Sequence, residues 1–225
     1  MRTRLLGISI AAALMVGAMS AAIPASAAGK ATLNVVHGIP GVTVNVCVDG
    51  SEAIPDFHPG DVAANVQLPA GSHTFKLVAQ SDTCGDTAIL KKTADLDAGK
   101  NYTVVANLDD TGAPNLKVFR NSVAKTAPGA ARLTVRHTAD APAVNVWANG
   151  ARLIGGTHFT WGESATLPVP RGVYAAWVSL PGEVQPVIGP AVLVLRPGYA
   201  YQVYAWGDGT DGYHFAVVSL AVGTR

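Results

Sequence analysis

Residues 31–50 read ATLNVVHGIPGVTVNVCVDG, and residues 131–150 read ARLTVRHTADAPAVNVWANG. The two stretches align without a gap. Their shared residues include Leu33, Val35, His37, Val44, Asn45, Val46 and Gly50, each of which recurs 100 positions later. Self-similarity at a fixed spacing is the signature of a tandem repeat, so this chain is predicted to contain two copies of one structural unit.

The similarity continues towards the end of each copy. The stretch LDAGKNYTVVA at 96–106 matches LRPGYAYQVYA at 195–205, and LPAG at 68–71 resembles VPRG at 169–172. Because the copies stay in step, their domain boundaries can be placed. We predict a first domain over residues 31–121, a short linker over 122–130 and a second domain over 131–225.

Each copy alternates polar and apolar residues in short runs. Residues 132–137, RLTVRH, alternate as a half-buried strand does, and Pro-Gly pairs punctuate the runs. No sustained helical period is present. About seven strands per copy, separated by turns, predict an all-β protein with two immunoglobulin-like β-sandwiches, each able to fold around its own core.

Three motifs carry a resemblance to a known family. They are V-x-H-x6-V-x-V-x3-G at residues 35–50, L-P-A-G-x-H-x-F at 68–75 and L-x-A-G-x2-Y-x-V at 96–104, and the first and third recur at 135–150 and 195–203. This pattern resembles the bacterial family called domain of unknown function 4397, over nearly all of the chain after residue 27. The resemblance implies exported proteins with tandem β-sandwiches and no established activity, and it supplies no catalytic residue.

The first 27 residues have the pattern of a cleavable signal peptide. Arg2 and Arg4 precede an apolar run, and Ala25-Ser26-Ala27 supplies the small residues that signal peptidase requires. We expect cleavage after Ala27, with no membrane span in the remaining chain. The mature protein is therefore predicted to be secreted, either extracellular or associated with the cell wall.

Charge indicates which partners to expect, and the cysteine content predicts a disulfide. Without Arg2 and Arg4, 14 of the 16 basic residues remain against 15 acidic ones, and they are scattered, so nucleic acid is not an expected partner. The chain has two cysteines, Cys47 and Cys84, which in an oxidising compartment have one possible intramolecular pairing. We predict that they form a disulfide.

Potential metal sites have simpler explanations. His37 and His137 recur on the apolar side of the first strand, and His58 and His158 recur further on. Zinc requires three or four ligands, so we favour a histidine that closes the core and bonds a loop carbonyl, and we predict no metal and no cofactor. The sequence DGTDG at 208–212 lacks the spacing of a calcium loop and is interpreted as a hairpin turn.

No catalytic constellation is found. The sequence GESAT at 162–166 is not the G-x-S-x-G nucleophile elbow, and no other nucleophile stands beside a base. We therefore predict no catalytic residue and no enzymatic activity.

Large aromatic residues distinguish the second copy. Trp147, Trp177, Tyr204 and Trp206 stand where the first copy has Cys47, Lys76, Val105 and Asn107. By strand alternation all four point away from their own sandwich core. Either the first domain or a loop over 181–190 covers them, or they form a candidate binding surface.

These observations predict a non-catalytic binding or structural module of the cell envelope or extracellular space. The alternative is a carbohydrate-binding or adhesive protein that uses the aromatics of the second domain. The partner is unknown, with a cell-wall glycan or another envelope protein as the candidates.

Overall fold

The computed structural model describes residues 29–155 and 159–225. The predicted signal peptide lies outside these residues. The first copy contains eight strands, whose bounds are β1 (Lys30–Gly38), β2 (Val44–Val48), β3 (Ser51–Phe57), β4 (Val62–Pro69), β5 (Gly71–Ala79), β6 (Leu90–Leu96), β7 (Asn101–Leu108) and β8 (Pro114–Asn121).

The second copy repeats this order. Its strands are β9 (Ala130–His137), β10 (Asn145–Ala148), β11 (Ala151–Ile154), β12 (Ser164–Pro170), β13 (Gly172–Ser179), β14 (Pro186–Leu195), β15 (Tyr199–Asp208) and β16 (Gly212–Ala221). The described residues contain no helix. It follows that no helix among them could cross a membrane.

The strands of each copy form two four-stranded sheets. In the first copy the orders are β4-β1-β7-β8 and β3-β2-β5-β6, and in the second they are β12-β9-β15-β16 and β11-β10-β13-β14. Neighbouring strands are antiparallel except β1 with β7 and β9 with β15, which are parallel. The prediction of an all-β protein with two tandem β-sandwiches is confirmed. The sequence pattern did not predict the strand order.

Each copy has one strand more than predicted. A tight hairpin joins β2 to β3, and a second one joins β10 to β11. Their turn residues, Asp49-Gly50 and Asn149-Gly150, all have positive φ, which is the geometry of the two-residue turns that match strand twist. Asp-Gly and Asn-Gly between apolar runs are strong hairpin signals. The sequence therefore contained a signal for both hairpins.

Each sandwich has its own apolar core. Leu33, Val46 and Phe75 belong to the first core, and Leu133, Val146 and Val203 to the second. In each core the alternating inward residues of two sheets pack together, as the repeat pattern predicts.

A third apolar cluster lies between the two domains. We call β4-β1-β7-β8 and β12-β9-β15-β16 the inner sheets, because their outward faces pack against each other. Val36 and Val105 of the first domain meet Tyr204, Val218 and Leu220 of the second, all of them buried. The molecule is therefore a stack of four sheets, in which the domains share an apolar interface.

A buried polar network crosses the same interface. Arg136 of the second domain is 4% exposed and donates to Asn121 Oδ1 of the first, at 2.9 Å, and to Tyr204 Oη. Its guanidinium lies 4.4 Å from the ring centroid of Phe119. Asn121 in turn donates to Asn101 Oδ1 and Thr103 Oγ1. Because these bonds are directional, they fix one orientation between the domains.

The first domain carries the disulfide on its outer sheet, β3-β2-β5-β6. Cys47 is bonded to Cys84, with their Cα atoms 5.8 Å apart. Lys76, opposite Cys47 on β5, donates through Nζ to the carbonyls of Cys84 (2.7 Å) and Asp86 (3.0 Å). The disulfide and Lys76 thus hold the loop after β5 over this sheet.

The same sheet contains an ion pair. His73 lies 2.7 Å from Asp49 Oδ2 and 2.8 Å from the Pro69 carbonyl. Burial lowers the pKa of His73, but the bonds with Pro69 and Asp49 outweigh burial and raise that pKa above its ordinary value. A backbone bond from Thr74, followed by the bond with His73, holds the pKa of Asp49 below its ordinary value.

This pair predicts a pH window for the stability of the first domain. The contribution of Asp49 is lost as pH falls through its depressed folded pKa, and that of His73 is lost as pH rises through its raised folded pKa. We therefore expect the pair to stabilise most between about pH 4 and about pH 6.5. The gain should be at most about 1 kcal/mol, because the carboxylate is half exposed.

The second copy supplies the matched replacement for this test. Asn149 stands for Asp49, and Tyr174 stands for His73 and donates to the Pro170 carbonyl at 2.9 Å. In the Asp49→Asn/His73→Tyr variant, the fall in melting temperature between pH 6 and pH 8 should be smaller than in the wild type. Identical profiles for both proteins would contradict the assignment.

Candidate functional site on the second domain

The four aromatic residues singled out in the second domain divide into two pairs. Trp147 on β10 and Trp177 on β13 are direct cross-strand partners on the outer sheet β11-β10-β13-β14. Tyr204 and Trp206 lie on β15 of the inner sheet. The pairs thus belong to different sheets, and the single four-residue binding surface that the sequence suggested does not exist.

Tyr204 and Trp206 are covered by the first domain. Tyr204 is 0% exposed and Trp206 is 8% exposed, and both belong to the cluster between the domains. The Trp206 side chain contacts the backbone of the first domain so closely that a Cβ at Gly38 would lie 2.7 Å from its Cβ. These two residues are therefore part of the domain interface and are withdrawn from the candidate binding surface.

Trp147 and Trp177 form a half-buried stack. Their ring centroids are 5.9 Å apart, and their planes differ by 3°. The Trp147 indole donates from Nε1 to Ser179 Oγ at 2.9 Å, and Ser179 Oγ donates to the Glu183 carbonyl at 2.7 Å. Ser179 thus connects the stack to the turn after β13, whose residues 181–185 are themselves exposed.

Exposed valines extend the apolar surface beyond the stack. Val173, Val192 and Val194 are 63%, 76% and 49% exposed, and Val173 lies opposite Val194 across β13 and β14. Arg152, which is exposed, lies opposite Trp147 on β11. We call this surface the Trp–Val face and define it by Trp147, Arg152, Val173, Ala175, Trp177, Val192 and Val194.

The corresponding surface of the first domain is polar. The cross-strand pair Trp147–Trp177 replaces Cys47–Lys76, and the uncharged edge strand β14 replaces β6, which carries Lys91 and Lys92. The first domain's surface is also partly covered by its disulfide-bonded loop. The two copies therefore share a fold and differ on their outer faces.

Sequence reasoning found the tryptophans of the Trp–Val face but missed its valines. The signal was present in the edge strand, where PVIGPAVLVL stands against LKKTADL in the first copy. Exposed edge strands usually carry charges that prevent association, so an uncharged one indicates an interaction surface.

Comparison with known proteins places the fold in a family. The family model "Domain of unknown function (DUF4397)" matches residues 31–147, which include the first domain and continue into β10 of the second. The chain belongs to this family.

Other comparisons add little to the DUF4397 assignment. No curated protein matches this DUF4397 chain. Among solved structures, the Bacillus anthracis TIE protein is similar over 80% of this chain and 33% of its own length, with 11% identity and a TM-score of 0.26. The chain thus spans about a third of that protein, and a likeness at this TM-score carries no functional argument.

The recurring histidines of this DUF4397 protein close the cores. His37 and His137 are buried, and each lies 2.9 Å through Nε2 from a loop carbonyl, that of Val42 or Pro142. Burial is the main reason that the pKa of both side chains is lowered, which favours the neutral form. The prediction that each bonds a loop carbonyl is confirmed.

The other candidate residues within the described part of the chain also have structural roles. His58 is exposed and lies 3.5 Å from Asp61, and His158 lies outside the described residues. Residues 208–212 form the turn between β15 and β16, where Asp208 Oδ1 accepts from the amides of Thr210 and Asp211. Among residues 29–155 and 159–225, no three metal-binding side chains come together.

Replacing Trp147 tests whether the tryptophan stack stabilises the second domain. The Trp147→Ala variant should lose about 2 kcal/mol of unfolding free energy, because a half-buried indole loses its apolar contacts and its bond to Ser179. Chemical denaturation measures this loss. Trp147→Phe, which keeps an aromatic ring, should lose less than half as much. An unchanged midpoint in Trp147→Ala would contradict a packing role.

Proposed function

We propose that this protein is a secreted, non-catalytic binding module of the cell envelope or extracellular space, and that it binds through the Trp–Val face. The observation that carries the proposal is the difference between the outer faces of the two copies. One fold presents a polar, loop-covered face in the first domain and an exposed, largely apolar face in the second. Exposed apolar surface of this kind is typical of interaction sites.

The disulfide supports an extracytoplasmic location. Cys47 and Cys84 are paired, and such bonds persist in oxidising compartments. The predicted signal peptide points in the same direction. A non-catalytic role agrees with the buried polar side chains described above: His37 and His137 hold loops, and Arg136 joins the domains.

Cosedimentation with purified bacterial cell walls tests the binding role. The protein lacking residues 1–27 should sediment with peptidoglycan sacculi. Val192→Lys, which places a charge like that of β6 on the Trp–Val face, should reduce the bound fraction at least fivefold. Thr93→Lys makes the same change in kind on the outer sheet of the first domain and should bind normally. Equal binding by all three proteins, or no binding by the wild type, would contradict the proposal.

A second candidate function is carbohydrate binding by the tryptophan stack. Aromatic rings bind the apolar face of a pyranose, and exposed Arg152 beside Trp147 offers donors to sugar hydroxyls. A glycan array measures this directly. Trp177→Lys, which introduces the residue of the first copy, should abolish glycan binding. A signal that survives this change would exclude the stack as the sugar site.

A further inference from the structure

An apolar cavity of about 80 Å³ lies inside the second sandwich. It is lined by apolar side chains of both sheets, among them Leu133, Ala148, Ala176, Leu193 and Phe215. Its volume is roughly half that of an engineered apolar cavity of about 150 Å³ that stays dry and binds benzene or xenon. The side chains that line such a cavity lack contacts that they would make in a close-packed interior.

The repeat explains why the cavity exists. In the first domain Val48 on β2 lies opposite Phe75 on β5, and Phe75 is 1% exposed in the core. In the second domain the corresponding cross-strand pair is Ala148 and Ala176. The second copy thus lacks a phenyl ring and two methyl groups at the place where the first copy is filled, and both alanines line the cavity.

The cavity reaches the surface at one edge of the sandwich. Its lining includes Val192 on edge strand β14 and Val217 on edge strand β16, which are 76% and 38% exposed. Val217 corresponds to Val118 of the first domain, which is partly buried against the core there. Exposed Val194 lies two residues beyond Val192 on β14. The cavity lining therefore extends to apolar side chains that are exposed to solvent.

We propose that this cavity is a binding site for the end of an unbranched alkyl chain. Apolar side chains line the cavity together with Trp147 and Tyr174, whose polar atoms donate elsewhere, to Ser179 and Pro170. A polar group in the cavity would therefore lose its hydrogen bonds to water without replacement. The small volume and the opening between two edge strands suit a narrow chain whose remainder leaves past Val192 and Val194. This site lies inside the sandwich, and its opening at Val192 adjoins the Trp–Val face.

Titration with sodium octanoate tests the site. Octanoate should bind the full-length protein saturably, with one site per chain, and should change the tryptophan fluorescence because Trp147 also lines the cavity. Ala176→Phe restores the residue of the first copy, fills the cavity and should weaken octanoate binding at least tenfold. Ala148→Val, a smaller filling by the same logic, should weaken it less and provides a second variant if Ala176→Phe fails to fold.

A matched control separates the cavity from the surface. Ala221→Phe adds the same ring at an exposed position at the end of β16, outside the cavity lining, and should leave octanoate affinity within twofold of the wild type. Wall binding by the wild type tests the proposed function, whereas the alkyl site is judged by Ala176→Phe, because Ala176 lines the cavity and is not part of the Trp–Val face. The alkyl site is overturned if the wild type shows no saturable octanoate binding, or if Ala176→Phe binds as tightly as the wild type.

Discussion

Replacing Tyr204 by alanine is expected to lower the free energy of unfolding by about 4 kcal/mol. Tyr204 is 0% exposed and packs between the domains against Phe119, with ring centroids 6.0 Å apart. Truncation of a buried aromatic residue costs about 3–5 kcal/mol, because contacts are lost and a cavity remains. The loss also removes the hydroxyl that accepts from buried Arg136, which leaves part of a guanidinium unpaired.

A conservative variant separates these two contributions. Tyr204→Phe keeps the ring and removes the hydroxyl with its bonds to Arg136 and Thr103. It should cost about 1.5–3 kcal/mol, the range for a hydrogen bond to a charged group. Urea denaturation followed by circular dichroism measures both variants. If Tyr204→Ala unfolds at the wild-type urea concentration, the buried interface between the domains does not contribute to stability.

The Tyr204 variant also bears on domain independence. Each copy has its own core, which is the basis for predicting that the two halves fold separately. The third cluster means that an isolated second domain would expose Tyr204, Trp206 and Val218 to water. We expect that fragment to be less stable than the same domain in the full chain, because the interface stabilises the domain only when its partner is present.

The sequence predicted the sandwiches because their construction is local. Alternation in 132–137 assigns Leu133 and Val135 to the core, and both are there. Parity likewise directed Trp147, Trp177, Tyr204 and Trp206 away from their own core. What covers an outward residue depends on how separate sheets pack, and strand period carries no information on that. Tyr204 and Trp177 therefore looked equivalent in sequence and differ in environment.

A comparison of the two copies gives information about core volume that strand parity does not give. Comparing the two copies position by position shows that Ala148 and Ala176 replace Val48 and Phe75, which is a deficit of core volume readable from sequence once the pairs are known. The pairing of these residues required the strand order, because β2 and β5 are neighbours in the sheet and distant along the chain. The cavity was therefore out of reach of the sequence alone.

Removing the disulfide is expected to destabilise the first domain by about 4 kcal/mol. Cys47 and Cys84 are 37 residues apart, and for a closed loop of that length the chain-entropy model gives about 4 kcal/mol. All four tryptophans lie in the second domain, and Trp206 and Trp161 also contact the first domain. Tryptophan fluorescence therefore follows mainly the second domain and its interface, while circular dichroism follows both domains. In Cys47→Ser/Cys84→Ser, the circular dichroism transition should move to lower urea concentration by more than the fluorescence transition does.

Lys76→Met keeps the disulfide, loses only the bonds to the Cys84 and Asp86 carbonyls, and should cost about 1 kcal/mol. Coincident shifts of both signals in the double serine variant would show that the domains unfold as one unit, and an unshifted transition would show that the bond adds no stability.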